Sequence, residues 1–94
     1  VGLGGRTAEA VAQKLSRLAG RAQVLCVTHL PVVAAAGSGH LVVEKHARKN
    51  KTTVTVHVVE QEERVTELAR MLSGDASKKQ ARELATELLQ SIHP

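Results

Sequence analysis

The 94-residue chain contains no phenylalanine, tyrosine or tryptophan, and has one cysteine, one methionine and two prolines. Without aromatic rings the largest apolar side chains are missing, so the core is expected to be aliphatic, and no ring is available to stack a nucleobase. The single Cys26 excludes an internal disulfide. In the middle of an apolar run it reads as a small core residue of a protein kept in a reducing compartment. No apolar stretch approaches the length of a membrane span, and the opening residues lack the charged start and apolar stretch of a signal peptide. The expected location is therefore the cytoplasm. Also missing are a Gly-Lys-Ser/Thr triplet, a compact set of metal ligands, and a serine in a nucleophile-elbow context with an acidic partner for a histidine.

What remains is globular in composition, 43% hydrophobic and 23% charged, and long enough for one domain at most. The net charge of +4 permits contact with a polyanion without requiring it. The most informative segment is Val24-Leu25-Cys26-Val27-Thr28-His29-Leu30-Pro31. Four consecutive apolar residues ending in Thr-His and broken by proline predict a strand, at about Gln23 to Thr28, buried on both faces as in a parallel α/β sheet. Ligands of open α/β sheets gather beyond the carboxyl ends of such strands, which makes His29 the candidate to meet a ligand. The alternative is a histidine that caps the next short helix or fills a loop.

Around this strand the pattern predicts α/β organisation. Thr7 is placed to cap a helix carrying Ala8, Val11, Ala12, Leu15 and Leu18 at helical spacing, with Gly20 just past its end. Pro31 suits the first turn of a short helix to Ala36, stopped by Gly37-Ser38-Gly39. Two Val- and Thr-rich runs, His40 to Ala47 and Thr52 to Val59, predict a β-hairpin with Arg48-Lys49-Asn50-Lys51 as its loop. Leu41, Val43 and Lys45 would share a face with Val54, Val56 and Val58. The opposite face would carry Val42, Glu44 and His46 with Thr53, Thr55 and His57. Val65, Leu68, Ala69 and Leu72 mark a helix from about Glu62 to Ser73-Gly74, and Ala81, Leu84, Ala85, Leu88, Leu89 and Ile92 mark another, capped by Asp75 or Ser77. The chain supplies only one parallel-type strand, so that strand needs neighbours from elsewhere.

Other candidate chemistry has two readings in each case. Gly2-Leu3-Gly4-Gly5 precedes a helix start, where free N–H groups favour an anion, but it also reads as an ordinary turn, and it has no strand before it, which predicts a fragment. His40, Glu44, His46 and His57 lie on or near one hairpin face. Their spacing matches no metal motif, and a solvated strand face is the expected reading. Lys45, Arg48, Lys49 and Lys51 cluster about the hairpin tip, either as a solvated loop or in contact with a nucleic-acid backbone.

Taken together, Gly2 to Val11, Gln23 to Pro31, His40 to Lys45 and Glu63-Arg64-Val65-Thr66-Glu67-Leu68-Ala69-Arg70-Met71-Leu72-Ser73-Gly74 resemble the C-terminal end of the RecN family of bacterial DNA-repair proteins, relatives of the structural-maintenance-of-chromosomes ATPases. The resemblance spans nearly the whole chain in the family's order. It implies the C-terminal part of a P-loop, ABC-type ATPase head assembled from the two ends of a long polypeptide. By this resemblance Gly2, Leu3, Gly4 and Gly5 fall at the D-loop, which crosses to a second head, and His29 falls at the switch histidine that senses the γ-phosphate. Gly4 stands about where many ABC proteins have the D-loop aspartate, and Val32 replaces a glutamine common in the family, so no side-chain role transfers to either position. The implied cofactors are ATP and Mg²⁺ in the assembled head. The implied partners are the N-terminal lobe of the same head, a second head in an ATP-dependent dimer, and DNA; the implied location is the bacterial cytoplasm, at the nucleoid. The Walker A, signature and Walker B segments are absent from this sequence, so the chain alone is expected not to turn over ATP. The rival expectation is a non-enzymatic α/β module that binds nucleic acid or a partner protein through the basic hairpin tip.

Overall fold

Aliphatic residues at helical and alternating spacing organise most of the chain into a layer of helices with a projecting hairpin. The computed structural model describes residues 5–94, in the order α1 (Gly5–Ala19), α2 (Pro31–Ala36), β1 (Leu41–Arg48), β2 (Lys51–Val58), α3 (Gln61–Ser73) and α4 (Lys79–Ile92). The predicted elements are all present except one. The run Gln23 to Thr28 is not a strand among the described residues: it pairs with nothing, and Leu25 and Val27 are 82% and 97% exposed. The observed sheet is two-stranded and antiparallel, with no parallel neighbour for this run. A central strand is defined by hydrogen bonds on both edges, and here neither edge has a donor or acceptor to meet. Cys26 is accordingly exposed, not buried.

The core lies between α2, α3 and α4. Leu68 is fully buried at its centre, enclosed by Ala35, Ala69, Ala81, Ala85 and Val65, with Met71, Leu88, Leu89 and Ile92 packed around the edge. Alanines at the contacts let helix axes approach closely, which is how a chain without aromatic rings fills its interior. Arg82 ties α4 to α3 at the surface, donating to Thr66 Oγ1 at 2.8 Å and to Glu62 Oε2 at 3.0 Å. Ala8 and Ala12 of α1 are buried in the same manner where that helix packs on α2, while Val11 and Leu18 stay exposed.

Helix ends differ from expectation in detail. α1 begins at Gly5, so Thr7 lies inside the helix and does not cap it. α4 is preceded by Lys78, which makes no side-chain cap bond. Asp75 instead accepts from the Ser77 N–H at 2.9 Å and from the Ser77 hydroxyl at 2.6 Å, closing a turn ahead of the helix. Those bonds hold the Asp75 carboxyl below the usual carboxylate range. α3 ends as predicted at Gly74, whose φ of 78° is the left-handed geometry that glycine adopts without a Cβ penalty.

The hairpin register is the expected one, with Leu41 opposite Val58, Val43 opposite Val56 and Lys45 opposite Val54. The loop is shorter than expected. Arg48 pairs with Lys51, leaving a two-residue turn of Lys49 and Asn50, both at positive φ. Such mirror-image turns match the twist of the flanking strands. At its base the hairpin is tied down by the Val59 N–H donating to His40 O at 3.0 Å, with both residues buried. Its apolar face is not covered: Leu41, Val43, Val54, Val56 and Val58 are 48–64% exposed.

Because Leu68 is the largest fully buried side chain among the described residues, Leu68→Ala is expected to cost about 3 kcal/mol, the range seen when a buried leucine leaves a cavity. Urea unfolding followed by circular dichroism reads this directly, and Leu84→Ala on the exposed side of α4 serves as the control.

Candidate functional site

The candidate site is built around the turn Thr28-His29-Leu30-Pro31. Thr28 Oγ1 accepts from the Leu30 N–H at 3.0 Å, a local bond that bends the chain at His29. Leu30 then enters α2 with extended backbone, Pro31 occupies its first turn, and the Ala34 N–H closes on Leu30 O at 3.0 Å. Proline fits there because its missing N–H would have no helical partner. His29 is left exposed between the unpaired apolar run and α2. An exposed imidazole at that point is free to donate to or accept from a group brought up to it.

The other end of α2 is held from two sides. Arg64 Nη2 on α3 donates to Ala34 O at 3.2 Å, to Ala35 O at 3.2 Å and to Gly37 O at 2.7 Å. His93, just past α4, donates through Nε2 to Ala35 O at 2.7 Å. Carbonyls at a helix C-terminus run short of backbone partners; here Ala34 O also accepts from the Gly37 N–H at 3.4 Å. Gly37 makes the arrangement possible, since a Cβ there would lie 2.8 Å from Gly39 O. Arg64 and His93 had no functional reading in the sequence. The signal for Arg64 was present: it stands four residues before Leu68 and next to Val65, at the edge of the buried stripe of α3, where a solvated charge is not expected.

His40 is buried beside Arg64, and its Nδ1 has no hydrogen-bond partner. Burial lowers its pKa, the Arg64 charge lowers it further, and Glu67 acts in the opposite direction. This histidine therefore does not join the hairpin face with which the sequence grouped it. Glu44, His46 and His57 do share that face: Glu44 Oε2 lies 3.9 Å from His46 Nε2 and Glu44 Oε1 lies 3.8 Å from His57 Nε2. His46 Nε2 also lies 3.2 Å from Thr55 Oγ1. Among the described residues no group of three or more His, Cys, Asp or Glu is arranged to hold a metal ion.

The basic residues of the hairpin divide between its faces. Register puts Lys45 with the valines opposite Val54, whereas Arg48 and Lys51 face each other beside the Lys49-Asn50 turn. All four basic residues are exposed. Gly2, Leu3 and Gly4 lie outside the described residues, and Gly5 opens α1. No described helix is long and apolar enough to cross a membrane.

Fold and site describe an α/β segment with a histidine turn at the end of an apolar run that has no strand partners among the described residues. No family model matches the chain. It is 48% identical over 90 residues, 96% of its length, to the DNA repair protein RecN of Streptomyces coelicolor. The identity is 49% over 88 residues to the protein of that name from Deinococcus radiodurans, and 44% over 93 residues to the one from Haemophilus influenzae. The chain is thus a homologue of part of DNA repair protein RecN, as the resemblance in its sequence implies. It spans only 16% of the Streptomyces protein, 15% of the Deinococcus protein and 17% of the Haemophilus protein.

The buried His40 sets a pH dependence. Its pKa in the folded chain lies below the ordinary value of 6.5, so the unfolded chain binds the proton more tightly. Its contribution to stability is therefore full above that value and declines as the pH falls below it. Comparing urea midpoints at about pH 7.5 and about pH 5.5, the loss on acidification is expected to be smaller in His40→Gln than in the parent chain.

Proposed function

We propose that this chain is the C-terminal lobe of an ABC-type ATPase head in a RecN-like DNA double-strand-break repair protein. The observation that carries the reading is the apolar run Val24 to Val27, which is exposed from Leu25 onward, has no strand partners among the described residues and leads directly into the Thr28-His29 turn. An apolar run of this kind has the composition of a central strand, and pairing with strands from the rest of the head would bury Leu25 and Val27. The open valine face of the hairpin supports the same reading, because a soluble monomer rarely leaves so much contiguous apolar surface uncovered.

In this reading His29 is the switch histidine, a polar group at a strand end that distinguishes whether a γ-phosphate is present. Phosphoryl transfer is promoted mainly by positioning and by electrostatic stabilisation, so such a histidine acts without being the base. ATP and Mg²⁺ would supply the transferable phosphoryl group and its charge neutralisation. The lysine, the Mg²⁺ ligands and the catalytic glutamate would come from the rest of the head. Gly2, Leu3, Gly4 and Gly5 would form the D-loop, where glycine lets backbone approach a second head closely. The partners are the N-terminal lobe, a second head and DNA, and the location is the bacterial cytoplasm, at the nucleoid.

A second reading rests on the hairpin tip. Placing Arg48 opposite Lys51 sets like charges face to face, an arrangement that costs stability and that a purely structural turn does not need. A phosphodiester backbone meeting Arg48, Lys49 and Lys51, with Lys45 behind them, would relieve that repulsion. On this reading the chain is a non-enzymatic module that binds nucleic acid or an acidic partner.

Turnover measurements separate the two. Mixing this chain with a polypeptide carrying the Walker A, signature and Walker B segments is expected to produce ATP hydrolysis absent from either alone, and His29→Ala is expected to lower it by about a hundredfold. A folded mixture whose turnover is indifferent to His29 would overturn the ATPase reading. Val27→Asp is expected to leave the circular dichroism of the isolated chain unchanged while abolishing co-purification with the complementary polypeptide, since a charge would then sit in a central strand. For the tip, gel-shift titration at low salt is expected to lose a retarded band in Lys49→Glu/Lys51→Glu if that surface holds nucleic acid. The absence of any band from the parent chain would count against it.

A further inference from the structure

The segment Glu63 to Gly74 carries much of the resemblance to RecN, yet none of its residues has a part in the reading above. Its second residue, Arg64, is half-buried and reaches across to α2, where a single Nη2 nitrogen serves three carbonyls, those of Ala34, Ala35 and Gly37. Burying a guanidinium costs solvation, and the Nε of this one is buried with no partner. An α-helical arginine that served only solubility would point to water, where no such cost arises.

The element it grips has little stability of its own. α2 has six residues, far below the length at which a helix holds itself in water, and Leu30 makes no side-chain cap bond at its entry. It spans about 9 Å from end to end at the usual helical rise, so fixing one end of this short rod fixes the other. The opposite end is the Thr28-His29-Leu30 turn. The chain behind α2 folds back tightly through Gly37 and so presents the third carbonyl to the same guanidinium.

We infer that Arg64 is a positioning residue for His29: by clamping the carbonyl end of α2 against α3 it sets the place and orientation of the histidine turn at the other end. This rests on the reading of His29 as the switch histidine, and it gives the segment from Glu63 onward a part in that chemistry. Arg64 does not touch the reacting atoms and acts only through α2. Lysine is an imperfect replacement: its ammonium has donors enough for three carbonyls, but its stem is flexible and its nitrogen is not held by a planar group at the place where Nη2 sits.

Two measurements test this. In the first, hydrogen exchange of the peptide covering residues 28–37 is followed in the chain, alone and in the assembled head. Arg64→Ala is expected to speed exchange there about tenfold or more while peptides from the core of α3 and α4 keep their protection, with Arg64→Lys intermediate. In the second, ATP turnover by the assembled head is expected to fall about tenfold in Arg64→Lys with KM for ATP nearly unchanged, as for a residue felt in the transition state and not in binding. Combining Arg64→Lys with His29→Ala is expected to be no slower than His29→Ala alone, since a residue that works through His29 has nothing left to position. Unchanged exchange across 28–37, or rate losses that simply add, would overturn the inference. If Arg64→Ala loosens α3 and α4 as well, Arg64→Lys decides both measurements. The two readings fail separately: turnover indifferent to His29→Ala, with exchange still accelerated at 28–37 by Arg64→Lys, removes the role of His29 and leaves the clamp standing.

Discussion

Close approach between helices is the constraint on which this structure depends. With no aromatic side chain to span a gap, α2, α3 and α4 must come near enough for Ala35, Ala69, Ala81 and Ala85 to form one buried cluster with Leu68. Alanine at those positions is what permits the approach, and the approach is what lets Arg64 of α3 reach the carbonyls of α2. A larger residue at Ala35 or Ala69 would separate the helices and lengthen those hydrogen bonds together. Packing and polar chemistry are therefore one problem here, since the spacing that fills the core also sets the reach of the guanidinium.

The layer so formed holds little beyond itself. The hairpin is fastened at its base, through Val59 and His40, and projects with a valine face open. Between α1 and α2 the chain carries its most apolar run in solvent. Homology to part of RecN at 44–49% identity covers a small fraction of those proteins' length.

Much of this organisation was legible in the sequence because it is local. Alternation of Val and Thr gave the hairpin its register, with Val43 opposite Val56, and helical spacing found α3 and its glycine stop. Gln23 to Thr28 differs: a run of four apolar residues states what environment a segment is suited to, and among the described residues the chain supplies no neighbour to pair with it, as the single parallel-type strand in the sequence implied. The caps failed for a related reason: Thr7, Asp75 and Ser77 each carry the right chemistry, and which backbone N–H they meet is decided by where the preceding chain enters the helix. The exposed turn at His29 followed from the polar Thr28-His29 pair and Pro31, whereas the sequence marked Arg64 only as a charge beside the buried stripe, and its grip on α2, with that of His93, joins residues 27 to 58 positions apart.

One consequence of the unpaired apolar run concerns how its pairing would be observed. The only cysteine of the chain, Cys26, stands in the middle of that run and is exposed. A thiol in that position reacts with a small alkylating reagent at the rate of open chain while the segment is unpaired, and becomes shielded once strands close over it from both sides. If the run pairs as proposed, the chain carries its own chemical reporter of that pairing. The fraction of sulfhydryl protected at a given time would then report the fraction of chains in which the run is covered, with the alkylating reagent as the one addition and no residue replaced.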